Sequence, residues 1–274
     1  MRESPKWTTF WDLSYSGNVK RMFFMHEEQL KLLQRYPDMA LADYTYKTNR
    51  WKLPLLIILR ITPLNTHFSA CYCFLDRERE EDFEWALNSF KTVTGIDISV
   101  WLTDRQLTLK NAAHKVYPGC KQLLCVWHVN KNVLTKVQAT WVMPYLPSDE
   151  EIQEIMNCRN LFMDRWRGLV QTKTTDEFNG AWEKLKGDYV DQPGLIEYLE
   201  FEWIPRRFEW ATPWTSSITH FSNTLTLRLE GTHRDIKHYI SGPSNDFQVI
   251  LERIKNYIIK EVHRFNADLI NNRI

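Results

Sequence analysis

Asp43, Asp104 and Glu230 are the residues of this sequence whose types and surroundings suit metal-assisted chemistry. Asp43 interrupts Leu-Ala-Asp-Tyr-Thr-Tyr-Lys, a strand-like stretch in which an aspartate is disfavoured. Asp104 closes Val-Trp-Leu-Thr-Asp, where a buried strand gives way to a helix. A carboxylate at such a junction is reachable from solvent and rigidly held, as a metal ligand must be. Each residue taken singly also has a plain structural explanation. Asp43 suits a hydrogen-bonded edge position, Asp104 an N-cap, and Glu230 an ion pair with Arg234 four residues on. Taken together they offer hard oxygen donors of the kind that hold Mg²⁺ or Mn²⁺. Two such ions about 4 Å apart activate an attacking oxygen and stabilise a leaving one in phosphodiester displacement. That chemistry requires the strands carrying the two aspartates to be neighbours.

The pattern of the chain supplies such strands. Met39–Tyr46, Leu53–Thr62 and Phe68–Leu75 read as consecutive strands joined by turns at Asn49-Arg50 and Pro63-Leu64-Asn65. Glu80–Thr94 has Phe83, Leu87 and Phe90 at helical spacing, with Gly95 as its C′ residue. Asp97–Leu102 reads as a strand, Gln106–Tyr117 as a helix and Leu123–Val129 as a fifth strand. The result is an α/β fold with a mixed β-β-β-α-β-α-β sheet, in which the first and fourth strands can lie side by side. Before it, Val19–Tyr36 reads as a helix in a lead-in segment. After it the pattern is helical: 150–170, 175–190 behind the capping box Thr174-Thr-Asp-Glu177, 193–202, 223–240 and 246–269.

Composition narrows the class. A chain of 274 residues with 43% hydrophobic and 25% charged residues has the make-up of a globular protein. Its 12 Trp run from Trp7 to Trp214, so no long stretch lacks a packing anchor. A net charge of +1 excludes a global electrostatic footprint for nucleic acid, so any such contact must be local or metal-mediated. An odd count of 5 Cys with no CxxC pair suits a reducing compartment. The first residues lack the apolar core of a signal peptide, and the run Leu53–Leu59 is too short to span a bilayer. A soluble intracellular protein, with no membrane partner, is expected.

Several blocks together carry a family resemblance. Asp43-Tyr-Thr-Tyr-Lys-Thr-Asn49 followed by Pro54-Leu-Leu, then Glu84-Trp-Ala-Leu87, Thr103-Asp-Arg105 with Ala112, and Leu124-Cys-Val-Trp-His-Val-Asn-Lys-Asn132 form the first part. His220-Phe-Ser-Asn and Leu229-Glu-Gly-Thr-His-Arg-Asp-Ile-Lys237 form the last. In combination they resemble the catalytic domain of Mutator-like-element (MULE) transposases, to which the plant far-red-impaired-response transcription factors are also similar. The resemblance spans about residues 40–260. It implies an RNase H-like fold with an α-helical insertion ahead of the last catalytic helix. Residues 1–38 are then a helical lead-in, 39–130 the first part of the core, 131–215 the insertion, and 216–274 the helices that complete the core. It also implies a DDE triad of Asp43, Asp104 and Glu230 holding two Mg²⁺ or Mn²⁺ ions. The Glu230 assignment rests on its Leu-Glu-Gly-Thr-His block; Glu183, Glu197, Glu200, Glu202 and Glu209 lie in the preceding helical stretch.

The expected activity is DNA cleavage at transposon ends and strand transfer into target DNA, in the nucleus, with a homodimer suited to holding two ends. The alternative is a domesticated or decayed transposase fragment that binds DNA or acts as a transcriptional regulator or scaffold without catalysis. No Cys/His-rich recognition module precedes Asp43, which suits that alternative. Cys125 and His128 match a C-x₂-H element of the same superfamily, yet a zinc site normally has four ligands; a buried Cys and a His orienting the neighbouring strand end is the favoured account of them. Lys47, Arg50 and Lys52, and later Arg228, Arg234 and Lys237, are candidate phosphate contacts or ordinary solvated cations. His233, three residues after Glu230, is a candidate supporting partner for it.

Overall fold

The computed structural model describes residues 7–35, 39–61, 67–142, 148–218, 235–236, 238–240 and 246–271. Its sheet has seven strands in the order β1-β2-β5-β4-β3-β6-β7. The strands are β1 (Trp7–Leu13), β2 (Val19–His26), β3 (Met39–Thr45), β4 (Leu55–Ile61), β5 (His67–Phe74), β6 (Val100–Thr103) and β7 (Lys121–Leu124). The middle of the sheet is an antiparallel meander of β3, β4 and β5. Leu55 to Leu59 of β4 are all buried, the continuous apolar run expected of a strand covered on both faces. A bulge between Ile58 and Leu59 shifts the β4–β5 register.

Helix α1 (Glu27–Arg35) follows β2, and α2 (Glu80–Thr94) and α3 (Leu107–Val116) flank β6 in sequence. Phe83, Ala86, Leu87 and Phe90 of α2 join Leu109, Ala112, Ala113 and Val116 of α3 in one apolar cluster with Ala40 and Ala42 of β3 and Trp101 of β6. The small alanines let the helices approach the sheet closely. Gly95 ends α2 at φ 64°, and its N–H donates to the Lys91 carbonyl at 2.8 Å, the left-handed cap its position predicts.

Two expectations are corrected. Residues 19–26 form a strand, and only Glu27–Arg35 of the expected 19–36 helix is helical. The reason is burial: Phe23, Phe24, Met25 and His26 are consecutive and all buried, because β2 lies inside the sheet between β1 and β5. The β1–β2 turn is closed by Ser14 N–H to the Asn18 carbonyl at 2.8 Å, with Gly17 at φ 78°. The second correction concerns 123–129. The strand stops at Leu124, and helix α4 (Val126–Thr140) begins two residues later. Buried Val129, Val133 and Val137 recur at helical spacing, a period that the apolar run Leu-Leu-Cys-Val-Trp-His-Val conceals.

The chain divides into two compact units, 1–122 with 221–274 and 123–220. The second contains α4, α5 (Asp149–Val170), α6 (Thr175–Asp188), α7 (Pro193–Glu202), a 3₁₀ turn at Ile204–Glu209 and the short α8 (Thr212–Thr215). Its core is built on Trp166, Trp182, Trp203 and Trp210 with Phe162 and Phe178. The Trp166 indole N–H donates to Asn130 Oδ1 at 3.0 Å, so its polar edge is satisfied as its rings are buried. Capping boxes start α5 at Ser148 with Glu151 and α6 at Thr174 with Glu177. None of the cysteines forms a disulfide; Cys71, Cys73 and Cys125 are buried and Cys158 is exposed. Burial pushes the Cys71 and Cys73 thiols well above the ordinary range and Cys120 up to about 12.

The last described helix, α9 (Phe247–Asn271), packs on β5. Phe247 meets Phe74 at 5.1 Å between ring centroids, and Phe265 meets Phe68 at 6.1 Å. Between these contacts the buried Glu261 carboxylate accepts hydrogen bonds from the Ser69 backbone N–H and hydroxyl, both at 3.2 Å. Burial is the largest influence on this group and raises its pKa from 4.5 to about 7, against the Ser69 hydrogen bonds and the nearby Arg264. Between those values the folded protein keeps a proton that the unfolded chain has released, so this group's contribution is fully present below about pH 4.5 and is lost as pH rises through 7. Glu261→Gln is therefore expected to flatten this part of the pH dependence. Urea unfolding at pH 4.5 and 7.5 should show wild type losing on the order of 3 kcal/mol more than the variant over that interval.

Candidate functional site

Asp104 follows β6 directly, after four buried residues. Its Oδ1 accepts the Gln106 backbone N–H at 2.9 Å. This bond to the residue two positions on is an Asx-type turn, which fixes the carboxylate at the strand end. Asp104 is not the helix cap; Gln106 occupies the N-cap position of α3 and makes no side-chain cap bond. Gln106 instead donates through Nε2 to Glu78 Oε2 at 3.1 Å. Glu78 thus supports the turn that holds Asp104. Nothing in its Asp-Arg-Glu-Arg surroundings signals this, because the link spans the whole of α2.

Asp43 lies on β3, opposite Ile57 of β4. β3 and β6 run parallel, with Met39 beside Val100, Ala40 beside Trp101 and Leu41 beside Leu102. Two further steps along both strands would bring Asp43 level with Asp104. Paired strands are about 4.8 Å apart, and the β3–β6 pairing runs to Leu41 and Leu102, two residues short of each aspartate. The level lies toward the C-terminal ends of the two parallel strands, where open α/β sheets ordinarily bind ligands. Glu230, His233, Arg228, Arg234 and Lys237 lie outside the described residues. Of the other glutamates, Glu183 and Glu200 engage Lys186 at 2.9 and 3.5 Å. Among the described residues, no three His, Cys, Asp or Glu side chains gather as a metal site.

Cys125 and His128 do not sit on a strand end. Cys125 is the buried N-cap of α4, its carbonyl accepting the Val129 N–H at 3.0 Å, and His128 is in the first turn. Residues three apart on a helix share a side, so the pair faces one direction. The His128 ring lies edge-on to Trp127 at 4.7 Å.

The candidate phosphate contacts divide into two kinds. Lys47 and Lys52 are exposed and adopt left-handed backbone, at φ 61° and 59°. Arg50 is committed within the protein. It pairs with Asp246 at 2.8 Å and lies over the Trp51 ring at 4.4 Å. Trp51 in turn stacks on Phe247 at 4.2 Å and 10°. Among the described residues, no helix is long and apolar enough to cross a membrane.

Comparison with known proteins adds to this geometry. The family model of the MULE transposase domain matches residues 39–132. The chain is 23% identical over 261 residues to Protein FAR1-RELATED SEQUENCE 5 of Arabidopsis thaliana, covering 91% of this chain and 30% of that protein. It is 25% identical over 240 residues to PKS-NRPS hybrid synthetase cheA of Chaetomium globosum, covering 82% of this chain and 5% of that protein. The chain thus spans well under half the length of either relative. Among solved structures it is similar to the Drosophila P element transposase strand transfer complex, with a TM-score of 0.42 and 8% identity over 86% of this chain and 81% of that one. The matched stretch, residues 39–132, contains β3, β6, both aspartates and the C-x₂-H element.

Proposed function

We propose that this chain carries the catalytic core of a DDE transposase, which cuts phosphodiester bonds at transposon ends and joins the freed 3′-OH to target DNA. The observation that carries the reading is the parallel β3–β6 register, Met39–Leu41 beside Val100–Leu102, whose continuation by two residues would set Asp43 beside Asp104. The sheet order β5-β4-β3-β6-β7, with β6 parallel to β3 beside an antiparallel meander, supports an RNase H-like core. β1 and β2 then widen that core at the β5 edge.

The donor types fit a hard divalent cation: two carboxylate residues toward the mouth of parallel strands. Asp43 and Asp104 would hold Mg²⁺ or Mn²⁺ between them, and Glu230 would complete the coordination. Two bound ions supply activation of the attacking oxygen and charge stabilisation of the leaving one. The protein's own part is positional. The Gln106 N–H keeps Asp104 in one orientation, and Glu78 keeps Gln106 there, so the carboxylate need not reorganise when a phosphodiester arrives. Water is the first nucleophile and the 3′-OH the second. A dimer suits the need to hold two DNA ends at once, and the nucleus is where the substrate lies. Cys125 and His128 take no step in this scheme.

Asp104→Asn keeps an oxygen acceptor for the Gln106 N–H, and Asp43→Ala removes one carboxylate of the pair. Each is expected to lower Mn²⁺-dependent nicking of duplex DNA by at least about a hundredfold while the thermal unfolding midpoint stays close to wild type. Wild-type nicking in either variant would sink the assignment. Calorimetric titration with Mn²⁺ should show binding by wild type that is at least about tenfold weaker in Asp104→Asn. Folded wild-type protein that binds no Mn²⁺ would instead assign a non-catalytic, DNA-binding or scaffold role.

A further inference from the structure

The connection between β3 and β4 is held in a shape that its own sequence does not favour. Lys47 and Lys52 both have φ near +60°. That region is unfavourable for a residue with a Cβ, and glycine or asparagine is its usual occupant. Such strain persists only where the surroundings over-determine the backbone. Here they do so from two sides.

The first constraint is Asn49, fully buried in the turn. Its Oδ1 accepts the Leu53 N–H at 3.0 Å, and its Nδ2 donates to the Leu53 carbonyl at 2.6 Å and to Thr48 Oγ1 at 3.1 Å. The Lys52 N–H donates to the Asn49 carbonyl at 3.3 Å. One side chain thus pairs with both backbone groups of the residue that re-enters the sheet. The second constraint is the stack of Arg50, Trp51 and Phe247, locked by the Arg50–Asp246 ion pair. Together they fasten the loop to the start of α9. Trp51 remains 42% exposed, and its stack with Phe247 and Arg50 braces the loop.

The two lysines remain. Their side chains are exposed, and among the described residues neither ammonium has an acidic partner. The Tyr-Lys-Thr-Asn-Arg-Trp-Lys-Leu segment contains no acid, and its single arginine is neutralised by Asp246. A glycine at 47 or 52 would relieve the strain; the chain keeps a cation at both places instead. Lys47 lies four residues past Asp43 and two past the end of β3, so the chain sets it at most about 13 Å away at about 3.3 Å per residue. That is about three to four nucleotide steps at 3.4 Å each.

We propose that residues 46–53 form a pre-shaped phosphate clamp, in which Lys47 and Lys52 grip the DNA backbone a few nucleotides from the scissile bond. Arg50 is the staple that holds the loop and makes no contact with DNA. The clamp deepens the DNA reading above and depends on it, but not on catalysis. A pre-shaped loop loses little entropy when it binds, so two lysines suffice to register the strand.

The test is fluorescence anisotropy of the whole chain with a labelled mixed-sequence duplex of about 20 base pairs, in EDTA, across a salt series. Alanine is as strained as lysine at these positions, so Lys47→Ala/Lys52→Ala leaves the loop geometry in place. The double variant is expected to bind with a log K against log salt slope shallower by about 2, and to bind roughly fiftyfold more weakly at 0.1 M salt. Arg50→Gln should leave the slope within about half a unit of wild type. An unchanged slope in the double variant overturns the clamp, and a slope lost equally in Arg50→Gln overturns the division of labour. Absence of duplex binding by wild type removes the clamp and the DNA reading together. Retained, lysine-dependent binding without Mn²⁺-dependent nicking removes only the catalytic reading.

Discussion

The parallel pairing of β3 with β6 is the constraint on which the rest of the sheet unit depends. Parallel neighbours cannot be joined by a tight turn; the chain must travel out and return over the sheet. It does so through β4, β5 and α2, so every residue between 46 and 99 is in part the detour that returns β6 beside β3. Register matters as much as adjacency. A slip of one residue would turn one aspartate to the opposite face from the other. That slip is opposed by Trp101, buried beneath the helices and 5.8 Å from Tyr117, and by Ala40 and Ala42, whose small side chains leave room for α2 and α3 on the same face.

The end of the chain completes what its middle begins. α9 meets β5 at Phe68, Ser69 and Phe74, and the same helix starts with the residues that staple the β3–β4 loop. Loop and sheet are therefore braced by one element. Glu261 lies between the two aromatic contacts, and the polar contact it makes is with a strand residue beside the bulge. A bulge leaves a backbone group without its ladder partner, and a carboxylate is a strong acceptor for it.

Much of this was legible in the sequence where the determinants are local. The meander, α2 with its Gly95 cap, α3 and the boundaries of α5 to α7 all follow from periodicity, capping residues and prolines close in sequence. The misreadings share a cause. Val19–His26 is apolar without a period because β1 and β5 cover it from both edges, and neither is visible from within the segment. The run around Cys125 changes from strand to helix inside one apolar stretch, where composition cannot separate the two. At the site, Asp43 stood out because aspartate is costly within a strand, and Asp104 because it closes a buried strand. Glu78, Gln106 and Asn49 did not, because each acts through a hydrogen bond whose partner only the folded chain brings near.

The distribution of thiols has a practical consequence. Cys71, Cys73 and Cys125 are enclosed, and Cys120 holds its proton up to about pH 12, while Cys158 stands exposed on α5. Alkylating reagents act on thiolates they can reach. A maleimide dye added to the native protein would therefore settle on the helical unit and leave the sheet unit unmarked. The molecule thus comes with a single-site spectroscopic handle, remote in sequence from both aspartates, and needs no cysteine engineering to use it.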